Sequence, residues 1–474
     1  MKNTDRVWDL VDARREDYVG LSDRVFDLPE IAYTEFKSVA EHKKMLEQEG
    51  FKIAEGVAGI PTAIVGEAGD EGPVIAILGE FDALPELGQT AGVAEHQPVE
   101  AGGPGHGCGH NLLGSAALMA ASAVKDYLAE RGLKGRVRYY GCPAEEGGAA
   151  KTFMVREGLF DDVDAAISWH PATFTAVNEA NSLANTRIDF TFHGLAAHAA
   201  GAPELGRSAL DAIELMNVGV NYMREHMPDD ARVHYAYLDA GGIAPNVVQS
   251  KATVRQLVRA RNLKELRGLI DRVRKIAEGA ALMTETTVET SVVSGVSNLI
   301  GNRPLEETMQ RNLDRLGAPD FDDTDREFAD KIRSTLSEDN ITVSFRRIGA
   351  EVDLDMALCD FVAPLDRQSE GGEGSTDVGD VSWAVPTVQA RVATCAVGTP
   401  FHTWQLTAQG KAPAAHKGML HAAKIMAGTA VDLFEDSEVL DQAITAHKEK
   451  LARDPYACPI PDDVGPPLKA MSNQ

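Results

Sequence analysis

Three side chains able to bind a divalent metal, His106, Cys108 and His110, stand at alternate positions of GGPGHGCGHN, Gly102–Asn111. On a glycine-rich loop, thiolate and imidazole at that spacing can turn toward one centre, as soft-to-borderline divalent ions require. The glycines do not follow GxGxxG and no lysine follows as in a P-loop, so a phosphate cradle is not indicated. A loop that merely caps the following helix would look similar, and taken alone the segment admits both readings. Three further segments change the balance. PAEEGG carries Glu145 and Glu146, SWHP carries His170, and TPFHTW carries His402. Each lies just past an apolar run that reads as a strand. A glutamate pair is ordinarily solvated charge, and one histidine after a strand is ordinarily a satisfied polar residue. Four ligand-type groups at one predicted edge are harder to explain that way, because the carboxyl ends of strands in an open α/β sheet converge on a single crevice.

Adjacent glutamates also suit a division of labour. Neighbouring side chains of an extended segment point different ways, so one can bind metal while the other faces activated water. A carboxylate in that place can accept a proton from the water and pass it to a leaving amine. That is equipment for hydrolysing an amide.

The elements that must position these groups follow from periodicity. Two helices are expected between Asp5 and Gly50, with Pro29 breaking the pattern. Short apolar runs near Thr62, Pro73, Arg136 and Ala165 read as buried strands, and Leu112–Arg131, rich in Ala, Leu and Met, reads as a helix between the second and third. Strands alternating with helices argue an α/β domain. At about Thr186 the pattern changes: RIDFTFHG alternates apolar and polar residues, and a β-α-β-β-α-β order follows over roughly 110 residues, the signature of a small inserted α+β sandwich. Near Gly301 the α/β character returns, with an acidic helical stretch at Asp320–Glu338 and a long helix over Lys411–Phe434. The expected division is 1–185 with 300–474 as a catalytic domain and 186–299 as the insertion. His416 and His421 are expected on an exposed helix face, and Cys142 in packing.

Composition bounds the class. The 474 residues are 44 % hydrophobic and 25 % charged, which fits a folded globular chain of two or three domains. The 46 basic against 72 acidic side chains give a formal charge of −26, which argues against a nucleic-acid partner. No apolar run reaches the ~20 residues that span a bilayer, so no membrane association is expected. The first twenty residues lack an apolar signal-peptide core. Five cysteines are an odd and sparse set, expected as thiols in a reducing compartment, and the chain reads as cytoplasmic.

The motifs GHGCGHN, PAEEGG, SWHP, HGLAAHAAGAPELGRSALDA, GGIAPNVV and GTPFHTWQ stand in this order across almost the whole chain, which resembles the amidohydrolase branch of the M20 metallopeptidases. DLPEIAYTEF is similar to that branch's opening segment. GSTDVGDVSW, AHKGMLHAAKIMA and the acidic helix near Asp325 resemble its aminobenzoyl-glutamate-hydrolysing members most. The resemblance implies a zinc-exopeptidase-like α/β domain, a mixed sheet flanked by helices, carrying an inserted ferredoxin-like lid that dimerises. It implies two divalent ions, manganese or zinc, held by Cys108, His110, Glu146, His170 and His402, with Glu145 as general base and acid. His198 on the lid would stabilise the oxyanion, often in the partner's site, and Asn246 and Arg259 would hold the substrate carboxylate. The implied reaction is hydrolysis of an N-acyl amino acid, p-aminobenzoyl-glutamate foremost, by a homodimer or by a heterodimer with a homologous chain. A dipeptidase, a hydrolase of other acyl amino acids and a non-catalytic partner chain are the alternatives. In GEFDALP, Glu80 stands where other M20 branches place a ligand histidine. Asp82 either orients a metal ligand or caps the next segment.

Overall fold

A computed structural model describes residues 4–369 and 374–468. Its larger sheet contains β1 (Lys52–Glu55), β2 (Ile64–Ala68), β3 (Val74–Glu80), β4 (Arg136–Cys142), β5 (Ala165–Ala172) and β6 (Ala176–Val177). A second sheet is made of β7 (Ala184–His193), β8 (Arg232–Asp239), β9 (Lys251–Ala260) and β10 (Thr287–Val296), and β11 (Thr387–Ala393) returns to the first.

The larger sheet runs β1-β2-β4-β3-β5-β11-β6. Its centre, β4-β3-β5-β11, is parallel, and the β1–β2, β2–β4 and β6–β11 pairings are antiparallel. All seven residues of β3 are buried, as a strand covered on both faces requires. One face is covered by helices His110–Arg131 and Pro413–Glu435 with the N-terminal helices, and the other packs on Phe153, Phe160 and Val381. Every residue from His110 to Val124 is buried, so the Ala/Leu/Met composition of this helix is that of an element packed on all sides. Gly114 is required there. A Cβ at that position would lie 2.4 Å from the Glu80 carbonyl oxygen, so only glycine lets the first turn rest on the end of β3.

The second sheet, β10-β7-β9-β8, is antiparallel throughout, and helices Ala209–Met223 and Leu263–Thr284 share its core. β7 and β9 bury alternate residues, the period-two pattern visible in RIDFTFHG and KATVRQLVRA. On β8 only Val233 is buried, leaving an open edge strand.

The chain differs from expectation in two places. The N-terminal region holds three helices, Thr4–Asp12, Arg15–Phe26 and Phe36–Gln48. Neither Pro nor Gly marks the break between the first two. His421 is buried, at 7 % exposure, because Pro413–Glu435 is enclosed on nearly every side. His416 is half-buried, with its Nε2 2.9 Å from Asp23 Oδ1.

Burial pulls the His421 imidazole down to about 4. Between that value and the ordinary ~6.5, the unfolded chain takes up a proton that the folded chain refuses. Its neutral ring therefore favours the fold fully above pH ~6.5, and that contribution is lost as pH falls toward 4. Moving from pH 7 to 5 should cost about 2 kcal/mol at this site. Urea unfolding of His421→Gln should show that much less acid sensitivity than the parent chain.

Candidate metal centre

The sheet topology gathers the chemistry. β4 and β5 flank β3, so the loops leaving β3 and β4 and the end of β5 meet at one edge, with the loop after β11 one strand further on. His170 lies within the last three residues of β5. His110 is the first residue of its helix, after Gly109 turns the chain at φ 75°. His402 itself adopts φ 60° and donates its backbone N–H to the Gly107 carbonyl at 2.9 Å, which ties its loop to the Cys108 loop.

Donor atoms of Cys108, His110 and His170 lie within 4.8 Å of one another, as do those of Cys108, Glu146 and His402 and those of Glu80, His110 and Glu145. Two of these groups share Cys108. Cys108 Sγ is 3.4 Å from His170 Nε2, and His402 Nε2 is 3.2 Å from Glu146 Oε1. Both buried histidines have their tautomer set from behind. His110 Nδ1 faces Asp82 Oδ1 at 2.9 Å, and His170 Nδ1 faces the Pro171 carbonyl at 2.8 Å. With Nδ1 carrying the proton toward an acceptor, each Nε2 presents a bare lone pair to the centre, the usual preparation of a metal-binding imidazole. Glu80 Oε2, His110 Nε2 and Glu146 Oε1 are buried without a hydrogen bond of regular geometry. Orphaned acceptors facing one another are costly unless a cation lies between them. The donor set fits divalent metal.

Electrostatics point the same way. Burial, reinforced by the Glu146 charge, pushes the Cys108 thiol well above its ordinary range. Burial raises Glu145 strongly too, and Glu80, Glu146 and Asp377 add to it. Burial pulls His110 down, but Cys108 and Asp82 outweigh it and hold the ring well above the usual histidine value. Burial and the Arg391 charge keep His170 neutral, well below it. Beneath the cluster, Lys151 Nζ bridges Glu80 Oε1 and Asp377 Oδ1, both at 2.6 Å, with no side-chain exposure at the lysine.

A cavity of about 610 Å³ opens from Cys108, Glu145, Glu146, His170 and His402 toward the Glu338–Ile348 helix, where Val343 and Arg347 line it. Phe174 and Phe401 supply apolar wall, and Arg391 lies on its polar side. Arg259 stands at its margin, with Nη1 3.3 Å from Ser375 Oγ. His198 and Asn246 do not reach this cavity. They lie together on the second domain, where the Ala199 N–H donates to the Asn246 carbonyl at 3.0 Å and both residues are exposed. His106 does not line it either, since its Nε2 is 3.0 Å from the Val25 carbonyl in a buried tie to the N-terminal helices.

Sequence reasoning did not find Lys151 or Asp377. Their signal is faint: a lysine inside the apolar AAKTFM run and an aspartate within GSTDVGDVSW. It also left Asp82 open between orienting a ligand and capping. In the structure Asp82 Oδ1 orients His110 while Oδ2 accepts the Glu146 backbone N–H at 2.9 Å.

Residues 76–319 match the model of Peptidase family M20/M25/M40. Over 472 residues the chain is 47 % identical to one of the two kinds of chain that form the p-aminobenzoyl-glutamate hydrolase of Escherichia coli K12, covering 97 % of this chain and 98 % of that protein. It is 31 % identical to the other kind of chain of the same organism's hydrolase over 253 residues, 51 % of this chain and 56 % of that one. Among solved structures, a dinuclear metal-binding peptidase of the M20 family from Bacillus subtilis superposes with a TM-score of 0.57 at 18 % identity, covering 90 % of this chain and 99 % of that one. That likeness concerns the fold, a mixed sheet flanked by helices with a second, smaller domain.

Asp82→Ala should lower the affinity of the purified chain for added Zn²⁺ by ~10–100-fold, the usual cost of losing a ligand-orienting partner. Isothermal titration reads this directly. Unchanged affinity would leave Asp82 as a capping residue.

Proposed function

The chain belongs to the M20/M25/M40 peptidases, and from that premise we propose that it hydrolyses the amide bond of N-acyl amino acids, p-aminobenzoyl-glutamate first among them, releasing p-aminobenzoate and glutamate. The observation carrying this reading is the convergence of Cys108, His110, Glu146, His170 and His402 with the carboxylate of Glu145 at the mouth of one cavity. The E. coli relative's name supports the substrate, and the apolar wall at Phe174 and Phe401 suits an aryl acyl group. Those five residues would hold two divalent ions. Thiolate and imidazole suit zinc and the carboxylates suit manganese. When bound, the ions supply Lewis acidity and a water of lowered pKa.

The chain's own residues divide the remaining work. Glu146, its backbone fixed by Asp82, faces His402 and the metal position. Glu145 accepts the proton of the attacking water and delivers it to the leaving nitrogen. Arg259 meets a substrate carboxylate with a planar fork that can bind it bidentately, assisted by Asn246. His198 donates to the developing oxyanion. Its Nδ1 accepts backbone N–H groups from Ala200 and Gly201 at 3.2 and 2.9 Å, which leaves the neutral ring's proton on Nε2, the outward nitrogen.

His198 serves a second chain's centre in this proposal, because it is exposed and outside its own cavity. The segment 186–299 acts as the lid, and β8 with the neighbouring helix offers the contact: Tyr222, Val218, Tyr235 and Tyr237 are exposed beside an unpaired strand edge. The two E. coli relatives, named as different chains of one hydrolase, support a homologous chain as partner, with a second copy as the other form. No described helix is long and apolar enough to cross a membrane. The five cysteines are free thiols, which suits the cytoplasm.

Glu145→Gln should keep its metal and lose turnover, whereas Cys108→Ala and Glu146→Gln should lose metal as well. Metal analysis beside p-aminobenzoyl-glutamate hydrolysis separates these outcomes. Full activity in Cys108→Ala would sink the metal assignment.

His198→Ala should cut kcat by ~10²–10³ with metal retained. Mixing it with Glu145→Gln should restore activity after the two variants exchange partners, because one site then draws each intact group from a different chain. No recovery despite verified exchange would return His198 to its own chain's site.

A further inference from the structure

The turn that carries Glu145 and Glu146 is strained and is held from outside. Ala144 and Ala149, which bracket it, both adopt left-handed backbone, at φ 55° and 59°. That conformation costs a residue with a Cβ more than it costs glycine. The turn makes two backbone bonds of its own, from Gly147 N–H to the Glu145 carbonyl and from Gly148 N–H to the Ala144 carbonyl. Side chains from distant segments hold other backbone groups of the turn. Asp82 takes the Glu146 N–H, and Arg187 Nη1 donates to the Gly147 carbonyl at 3.1 Å.

Two more outside contacts come from the segment LPEIAYTEF, to which the reaction assigns nothing. Glu35 is buried, at 0 % exposure, and one oxygen, Oε1, accepts both its own segment's Tyr33 N–H at 2.8 Å and the Ala144 N–H at 2.9 Å. The Tyr33 hydroxyl, on a residue 3 % exposed, donates to the Gly148 carbonyl at 2.7 Å. Tyr33 is itself left-handed at φ 64°. The two segments therefore hold one another: Glu35 fixes the residue entering the glutamate pair, and Tyr33 fixes the stretch leaving it. Neither residue lines the cavity. Glu30, in the same segment, has a separate task, accepting the Lys37 and Ser38 N–H groups at the start of the Phe36–Gln48 helix.

We propose that Tyr33 and Glu35 are positioning residues that clamp both ends of the Glu145–Glu146 turn and so fix where the two carboxylates point. The proposal rests on the hydrolase reading of that turn. The clamp acts on the proton-shuttling and metal-binding carboxylates and leaves substrate binding alone, so its loss falls on kcat and metal affinity while KM is spared.

The test uses the full-length chain, with Zn²⁺ titration as a readout independent of activity. Tyr33→Phe keeps the ring and removes one bond; kcat and Zn²⁺ affinity should each fall ~10-fold. Glu35→Ala should cost ~10²-fold in kcat, the scale of a misplaced catalytic group, and Glu35→Gln, which keeps an oxygen acceptor, should restore most of it. Adding Ala144→Gly to Glu35→Ala should also recover activity, because glycine takes the left-handed conformation unaided. A purely structural role would lower the melting temperature and leave kcat and Zn²⁺ affinity unchanged, and that result in Tyr33→Phe and Glu35→Ala overturns the proposal. So does a complete lack of recovery with Ala144→Gly. If Glu35→Ala does not fold, Tyr33→Phe alone decides. If the parent chain hydrolyses no N-acyl amino acid, the hydrolase reading fails while the Zn²⁺ titrations still decide the clamp.

Discussion

Asp82 is 1 % exposed at the end of β3, and its two oxygens engage two different elements: one the His110 ring, the other the Glu146 backbone. A single carboxylate thus sets the angle between a helix start and a catalytic turn that are far apart in sequence. Burial works against its charge, but His110 and the Glu146 N–H outweigh that and hold its pKa below the ordinary value. It stays an anion. Everything above it inherits the consequence, because Glu80, Glu145, Glu146 and Asp377 crowd into the same buried region. A core that concentrates negative charge this way is stable only if cations share the space. Lys151 supplies one beneath the cluster, and the facing donor atoms leave room for more above it.

The same balance explains why β3 ends where it does. Lys151 binds Glu80 Oε1 and turns the remaining oxygen, Oε2, toward His110 Nε2 at 3.4 Å. The position that other M20 branches fill with histidine here carries an anion already half neutralised from below. Glu80 and Lys151 act as one unit, a carboxylate whose charge toward the centre is tempered by a buried ammonium. Gly114 is the steric counterpart, since without it the helix bearing His110 would stand off from the Glu80 carbonyl and the His110–Asp82 bond would open.

What the sequence disclosed follows from how local each signal is. Strand and helix periods, the β-α-β-β-α-β order and the ligand-type residues beyond strand ends are short-range features, and the elements and the cluster could be read from them. Lys151 and Asp377 could not, because a buried ion pair across 226 positions leaves no local pattern. His421 departs from expectation for a related reason. A histidine beside lysine reads as surface, and only the packing of Pro413–Glu435 against several other elements buries it. The opening LPEIAYTEF segment was legible as a motif, but its purpose lies in hydrogen bonds to backbone atoms more than 100 residues away.

A net charge of −26 would repel an anionic acyl amino acid at a distance, so affinity must come from local field. The second sheet supplies it. Arg187, Arg255 and Arg259 stand close enough that burial, followed by the neighbouring guanidiniums, lowers Arg187 below its ordinary value. Arg255 is held by Asp189 through two bonds, at 2.7 and 3.0 Å, which leaves Arg187 reaching toward the glutamate turn and Arg259 toward Ser375. These arginines ride on strands of the smaller domain, whereas the carboxylates they offset ride on the larger sheet. Attraction between the two sets draws the domains together over the cavity, and a substrate carboxylate entering between them meets the cationic side. The field that admits the substrate is therefore built by the same contact that seats one domain on the other, and global repulsion slows encounter without weakening the bound complex.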